Sequence, residues 1–203
     1  MIAIIDYGAG NLFSLASSLK HIGAEAEITG DIEAIRKADR MILPGVGAFG
    51  DAAAELSKRG LDKVICEEAQ AGKPLMGICL GMQLLFEKSL EYGEHDGLGL
   101  IKGTVRPLDG YLPEGYKIPQ IGWNSLEFHG RKHPVFKDVP DGAFVYFVHS
   151  FYGDADESQL AATCDYGKTV TAAVTEGNVI GCQFHPEKSG EVGLSILKAF
   201  CEL

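Results

Sequence analysis

The run Pro74-Leu75-Met76-Gly77-Ile78-Cys79-Leu80-Gly81-Met82-Gln83 ends an apolar stretch in a cysteine held between two glycines. A helix-like pattern follows at once in Met82, Leu84, Leu85 and Phe86. This is the layout of a nucleophile elbow, G-x-S-x-G, with Cys in place of Ser. Gly77 and Gly81 let neighbouring backbone pass where a Cβ would clash. The turn sets the sulfur at a helix N-terminus, whose dipole favours the thiolate, the reactive form. On this stretch alone, a buried packing cysteine in a turn competes with a nucleophile.

A cysteine nucleophile needs a base, and the base needs an orienting group. Of the six histidines, His185 stands at the end of the apolar stretch 179–184 and is followed by Pro186 and Glu187. A carboxylate two residues on can accept the Nδ1 proton, which fixes the tautomer and stabilises the imidazolium. A surface histidine beside a surface glutamate would look the same in isolation. Taken with the elbow, the pattern points to a Cys79–His185–Glu187 triad for acyl transfer. Tyr7-Gly8-Ala9-Gly10 begins like a dinucleotide loop, but Phe13 stands where the last glycine is needed, so no nicotinamide site is expected.

Strands and helices must bring these residues together. Residues 1–5, 41–43 and 75–78 are short apolar runs that suit buried strands of a parallel sheet, and 24–28 reads as a further strand. Helices are expected between them: one with Leu12, Leu15, Leu19 and Ile22 on one face, capped by Asn11 and closed by Gly23, then 31–37, 52–56 and Leu61–Gln70. Alternation of strand and helix predicts an α/β fold, an open, largely parallel sheet with helices on both faces. Ligands in such sheets lie beyond the carboxyl ends of the strands. The second half reads as strands at 98–107, 121–128, 143–148, 160–164, 170–174 and 179–184, with a hairpin loop at Glu176-Gly177-Asn178 and a closing helix over 191–200. No linker or repeat divides the chain, so residues 1–203 are expected to form a single domain.

The totals exclude several classes. The net charge of -10 and a lack of basic runs argue against nucleic acid or anionic membrane as partners. No stretch is apolar enough to span a membrane, and the N-terminal apolar run stops at Asp6 without a basic flank, so no signal peptide is expected. The five cysteines are widely spaced with no C-x-x-C pair, which argues against disulfides and a zinc site and for a reducing, cytoplasmic setting. Cys66, Cys164, Cys182 and Cys201 are expected to pack. Neither cofactor nor metal is expected.

Gly-Ile-Cys-Leu-Gly-Met-Gln with a later His-Pro-Glu resembles the class I (triad) glutamine amidotransferases, whose flavodoxin-like fold would cover the chain. Asp6-Tyr7-Gly8-Ala9-Gly10-Asn11, Pro44-Gly45-Val46-Gly47-Ala48-Phe49 and Ile121-Gly122-Trp123-Asn124 resemble, within that superfamily, the glutaminase subunits of imidazole glycerol phosphate synthase. The resemblance implies hydrolysis of glutamine to glutamate and ammonia. It implies an oxyanion hole from Leu80 and the Gly45-Val46-Gly47 backbone, and glutamine contacts from Gln83, Ser150 and Phe151. It also implies a heterodimer with a (β/α)8-barrel cyclase subunit that uses the ammonia in histidine biosynthesis, with Tyr7, Asn11, Trp123 and Asn124 facing that partner. His149 has no catalytic role in this pattern and is expected to be structural or interfacial. The competing expectations are a glutaminase for pyridoxal phosphate or aminobenzoate synthesis, a non-catalytic binding module of the same fold, and a Cys–His peptidase.

Overall fold

The computed structural model describes residues 1–130 and 132–203. The first part of the chain alternates β1 (Ile2–Ile5), α1 (Leu12–His21), β2 (Ala26–Thr29), α2 (Ile32–Lys37), β3 (Arg40–Gly45), α3 (Phe49–Lys58), α4 (Leu61–Gln70), β4 (Leu75–Cys79) and α5 (Leu80–Leu84). Strands β5 (Phe86–Ser89), β6 (His95–Asp96), β7 (Ile101–Pro107), β8 (Gln120–Ser125) and β9 (Glu127–Phe128) follow. The chain continues through β10 (Phe144–His149), β11 (Phe151–Ala155), β12 (Leu160–Asp165), β13 (Thr169–Glu176) and β14 (Val179–Cys182) to α6 (Gly190–Cys201).

The main sheet has eight strands in the order β2-β1-β3-β4-β14-β13-β12-β9. The β2, β1, β3 and β4 ladders are parallel, as the helical crossovers between them require, and β14 continues the parallel set beside β4. Beyond β14 the ladders are antiparallel, because Gly177 and Asn178 alone turn β13 back into β14, with Glu176 opposite Val179. Alternation along each strand divides the core between the two faces. Ile2 and Ile4 of β1 pack with Leu15 and Leu19 of α1 and with Ile196 and Phe200 of α6. Ala3 and Ile5 pack with Ile35, Leu56 and Val64 of α2, α3 and α4. Among the described residues no helix is long and apolar enough to cross a membrane.

The structure corrects the sequence reading in several places. The helix after Cys79 stops at Leu84, and Phe86 opens a strand. The Leu84 carbonyl accepts the Leu98 N–H, and the Leu85 carbonyl accepts those of Leu100 and Ile101, so the acceptors a longer helix would use are already taken. For the same reason the strand expected over 98–107 starts only at Ile101. A helix of five residues has little dipole to offer the sulfur. The strand expected over 121–128 is two: β8 pairs with β10 in a separate two-stranded sheet, and β9 joins the edge of the main sheet. A further sheet, β11-β7-β5-β6, is not evident in the sequence. Asn11 stands at the N-cap of α1, but its side chain accepts no backbone N–H. Gly23 does close α1 with a positive φ of 79°.

The elbow depends on two glycines. A Cβ on Gly77 would lie 2.6 Å from the Gly81 carbonyl oxygen, and one on Gly81 would overlap the carbonyl of Leu43 in β3. Gly81 is helical, so its requirement is purely steric, whereas Gly72 has a φ of 96° and open space around its Cβ position. Gly81→Ala is therefore expected to lower unfolding free energy by about 3 kcal/mol or more. Gly72→Ala should cost only about 1–2 kcal/mol, the conformational penalty. Urea denaturation of the two variants checks the difference.

Candidate active site

The carboxyl ends of β3, β4 and β14 lie side by side. Gly45 is opposite Cys79 in the β3–β4 ladder, and Cys182 is opposite Ile78 in the β4–β14 ladder. His185, just beyond β14, is therefore delivered to the edge that carries Cys79. Its backbone N–H donates to the Tyr146 carbonyl at 2.9 Å, which ties this turn to β10. Cys79 sits at φ 56°, ψ −113°, a conformation L-residues rarely adopt. Its Sγ lies 3.8 Å from the Val148 carbonyl oxygen and 3.9 Å from the Gln183 side-chain nitrogen.

His185 and Glu187 are both 3% exposed, and Nδ1 of the imidazole donates to Oε1 of the carboxylate at 2.8 Å. Burial disfavours the imidazolium. The Cys79 sulfur and the Glu187 carboxylate outweigh it and raise the His185 pKa to about 9. His185 Nε2 is buried with no hydrogen-bond partner in place, and the Cys79 sulfur is the group that, with Glu187, favours its proton. His149 meets the opposite fate. Burial, reinforced by repulsion from His185, lowers its pKa to about 4. Its Nδ1 donates to the Phe151 carbonyl at 2.8 Å, and its Nε2 lies 3.1 Å from the side-chain amide of Gln120. It is a buried residue kept neutral, whose ring holds the Phe151 carbonyl and the Gln120 side chain in place.

Cys79, Leu80, Gln83, Val46, Gly47, Ser150, Phe151 and His185 line one cavity of about 340 Å³. Glu187 stands behind His185, outside the lining. Gly45 does not reach the cavity: it ends β3, and a Cβ there would lie 2.7 Å from the Tyr7 hydroxyl. Of the expected oxyanion loop, only Val46 and Gly47 border the site. Tyr7 is also displaced from its expected place. Its side chain is buried, and its hydroxyl donates to the Pro44 carbonyl at 3.0 Å, so it braces the loop rather than facing a partner. Asn124 spends its amide within the chain, donating to the Asp165 carbonyl at 2.7 Å and accepting from Ser125 N–H at 2.8 Å. Asn11 is half-buried. Trp123 is 55% exposed.

His149 also borders the cavity, and Glu91, Tyr92, Pro119 and Val148, which were not anticipated, complete the lining. Glu91 is a buried carboxylate that accepts the Phe49 N–H at 2.7 Å, at the start of α3. Tyr92 has a φ of 52° and sets its ring edge-on to Phe151, 6.0 Å between centroids. The other cysteines are free thiols without catalytic environments; burial pushes Cys164 up to about 12 and raises Cys66, Cys182 and Cys201 as well.

A thiol on a strained turn, an imidazole braced by glutamate and an adjoining cavity bordered by one side-chain amide, a carboxylate and a serine have the make-up of an acyl-transfer site. The family model described as glutamine amidotransferase class-I matches residues 3–202, so the chain belongs to that family. Imidazole glycerol phosphate synthase subunit HisH of Wolinella succinogenes is 48% identical over 205 residues, with 100% of each chain covered. The HisH subunit of Bacillus cereus strain G9842 is 52% identical over 200 residues, which span 98% of this chain and 93% of that one. The structure of PurLQS from Thermotoga maritima matches with a TM-score of 0.77 at 22% identity, covering 99% of this chain and 97% of that one. A crystal structure of a glutamine amidotransferase gives 0.75 at 19% identity, covering 98% of each. At these identities the structural likeness concerns the fold.

The triad electrostatics can be read directly. Glu187→Gln removes an anion that holds the proton on His185, so the imidazole should lose its charge at a lower pH. NMR titration of the ring nitrogens is expected to show a midpoint near 9 in the parent chain. In the variant it should fall by about one unit or more.

Proposed function

We infer that the chain is the glutaminase half of an imidazole glycerol phosphate synthase, releasing ammonia from glutamine for a cyclase subunit in histidine biosynthesis. The observation that carries this is the Cys79–His185–Glu187 arrangement beside a cavity bordered by Gln83, Glu91 and Ser150, in a chain about half identical over its whole length to HisH subunits. The Cys79 thiolate attacks the side-chain carbonyl carbon of glutamine, and the carbonyl oxygen takes up the negative charge. The Leu80 N–H and a backbone N–H of the Val46-Gly47 loop receive that charge; one such donor is typically worth about 10²–10³ in rate. His185 gives its proton to the departing nitrogen, the C–N bond breaks, and ammonia leaves a glutamyl thioester. Neutral His185 then takes a proton from water, which attacks the thioester. The C–S bond breaks, glutamate departs, and the thiolate–imidazolium pair is restored. Glu91, a buried carboxylate on the cavity wall, suits the substrate's ammonium group, while Gln83, Ser150 and Phe151 hold the rest of the molecule.

The partner face lies next to the cavity. On the outer face of the β8–β10 pair, Ile121 is 61%, Trp123 55% and Phe144 58% exposed. Trp123 packs edge-on against Tyr146, its opposite number across the ladder, at 6.1 Å. Val148, opposite Ile121, belongs both to this pair and to the cavity wall. A (β/α)8-barrel cyclase seated on this apolar strip would receive ammonia without its passing through solvent. The site's place in a soluble cytoplasmic heterodimer is part of the same reading.

Cys79→Ser should abolish glutamine-dependent synthesis by the reconstituted pair and leave synthesis from added ammonium salt within a few-fold of the parent. Glutamine-dependent turnover in the variant would overturn the assignment of the nucleophile. Trp123→Ala should weaken binding of the cyclase about 30-fold, a typical value for an aromatic anchor at an interface. Titration calorimetry with the purified cyclase measures this. Unchanged affinity in both Trp123→Ala and Ile121→Asp would move the interface elsewhere.

A further inference from the structure

Gln183 is fully buried, two residues before His185, and the chemistry above gives it nothing to do. Its neighbours fix which way its amide points. The Phe151 carbonyl can only accept, so the Gln83 atom 2.9 Å from it is the NH2 group. The same NH2 lies 3.0 Å from the Gln183 side chain, which must therefore present its carbonyl oxygen there. The Gln183 NH2 is left at the other end, 3.9 Å from Cys79 Sγ. One backbone carbonyl thus sets the direction of a chain of buried donors that ends on the nucleophile.

We propose that Gln183 stabilises the reactive form of Cys79 by donating a hydrogen bond from its buried NH2 to the thiolate, with Gln83 holding the amide in that orientation. Val148 is the complementary partner: its carbonyl, 3.8 Å from Sγ, accepts from the protonated sulfur and offers nothing to the ionised one. Among the described residues, Gln183 is the side-chain amide within reach of the sulfur. The titratable groups that sense the sulfur's charge are His185 and Tyr7; burial, then that sulfur, keeps the proton on the tyrosine. Both Gln83 N–H groups are consumed by this chain, so only its carbonyl oxygen is open to the cavity. Gln83 then accepts a hydrogen bond from the substrate and donates none.

The proposal rests on Cys79 being the nucleophile, and the test separates the two claims. The full chain is alkylated with iodoacetamide across a range of pH, and labelling of Cys79 is followed by mass spectrometry. Gln183→Met keeps the volume and removes the donor. It is expected to alkylate about tenfold more slowly at pH 7 and to recover the parent rate at alkaline pH, with the profile displaced upward by about one unit. Gln83→Met leaves Gln183 in place but frees its amide to turn, so the displacement should be in the same direction and smaller. Near-UV circular dichroism reports whether each variant is folded. A parent-like profile in folded Gln183→Met overturns the proposal. If that variant does not fold, a parent-like profile in Gln83→Met overturns it instead. Failure to label Cys79 in the parent chain would remove the nucleophile reading itself.

Discussion

The site depends on holding one residue in a conformation it would not choose. Cys79 at φ 56°, ψ −113° carries a backbone penalty of about 1–3 kcal/mol. It persists because the elbow is clamped from every side. Strand β4 lies between β3 and β14, is buried at every position, and receives ladder bonds from both. Helix α5 lies against the end of β3 only because Gly81 has no side chain to strike the Leu43 carbonyl. Burial of Leu75, Met76 and Ile78 at about 1.5–3 kcal/mol each is more than enough to offset the strain. The sulfur is thereby placed at the cavity lip, next to the Leu80 amide and within the influence of His185.

Burial acts in the same direction on both histidines of the site, yet only one carries a proton at neutral pH. What differs is the company. His185 has the Glu187 carboxylate on Nδ1 and the Cys79 sulfur beyond it. His149 has a carbonyl and an amide, which orient the ring without compensating a charge, and His185 repels whatever charge it would take. A second imidazolium there would stand against the first. The neutral His149 instead braces the Phe151 carbonyl, which also anchors Gln83. One histidine is held protonated and the other neutral, and the difference follows from counterions rather than from depth.

What was legible in the sequence was local. The elbow, His185 with Glu187 two residues on, the apolar strands and the Gly177-Asn178 turn are all patterns within a few residues, and the structure reproduces them. What was not legible depends on distant pairing. The length of α5 is decided by carbonyls captured from the 98–101 segment. The burial of Glu91 follows from its bond to the Phe49 N–H far upstream, and nothing in Ser-Leu-Glu-Tyr-Gly announces it. Tyr7 stands between Asp6 and Gly8 at the start of a turn, where an exposed ring would be expected. Its ring is nevertheless drawn inward, because the Pro44 carbonyl gives the hydroxyl an acceptor inside the core.

That contact also explains an asymmetry in the proposed oxyanion hole. The Leu80 donor belongs to a helix whose residues are all buried, so its place is set by the core. The second donor belongs to a loop whose anchoring ends abruptly. Tyr7 holds the Pro44 carbonyl, and Gly45 is locked between Tyr7, Leu80 and Gly81. One residue further on, Val46 is 47% exposed, and Gly47 has a φ of 98° with nothing near its Cβ position. Packing therefore fixes the loop as far as Gly45, whereas Val46 and Gly47 are not held by core contacts.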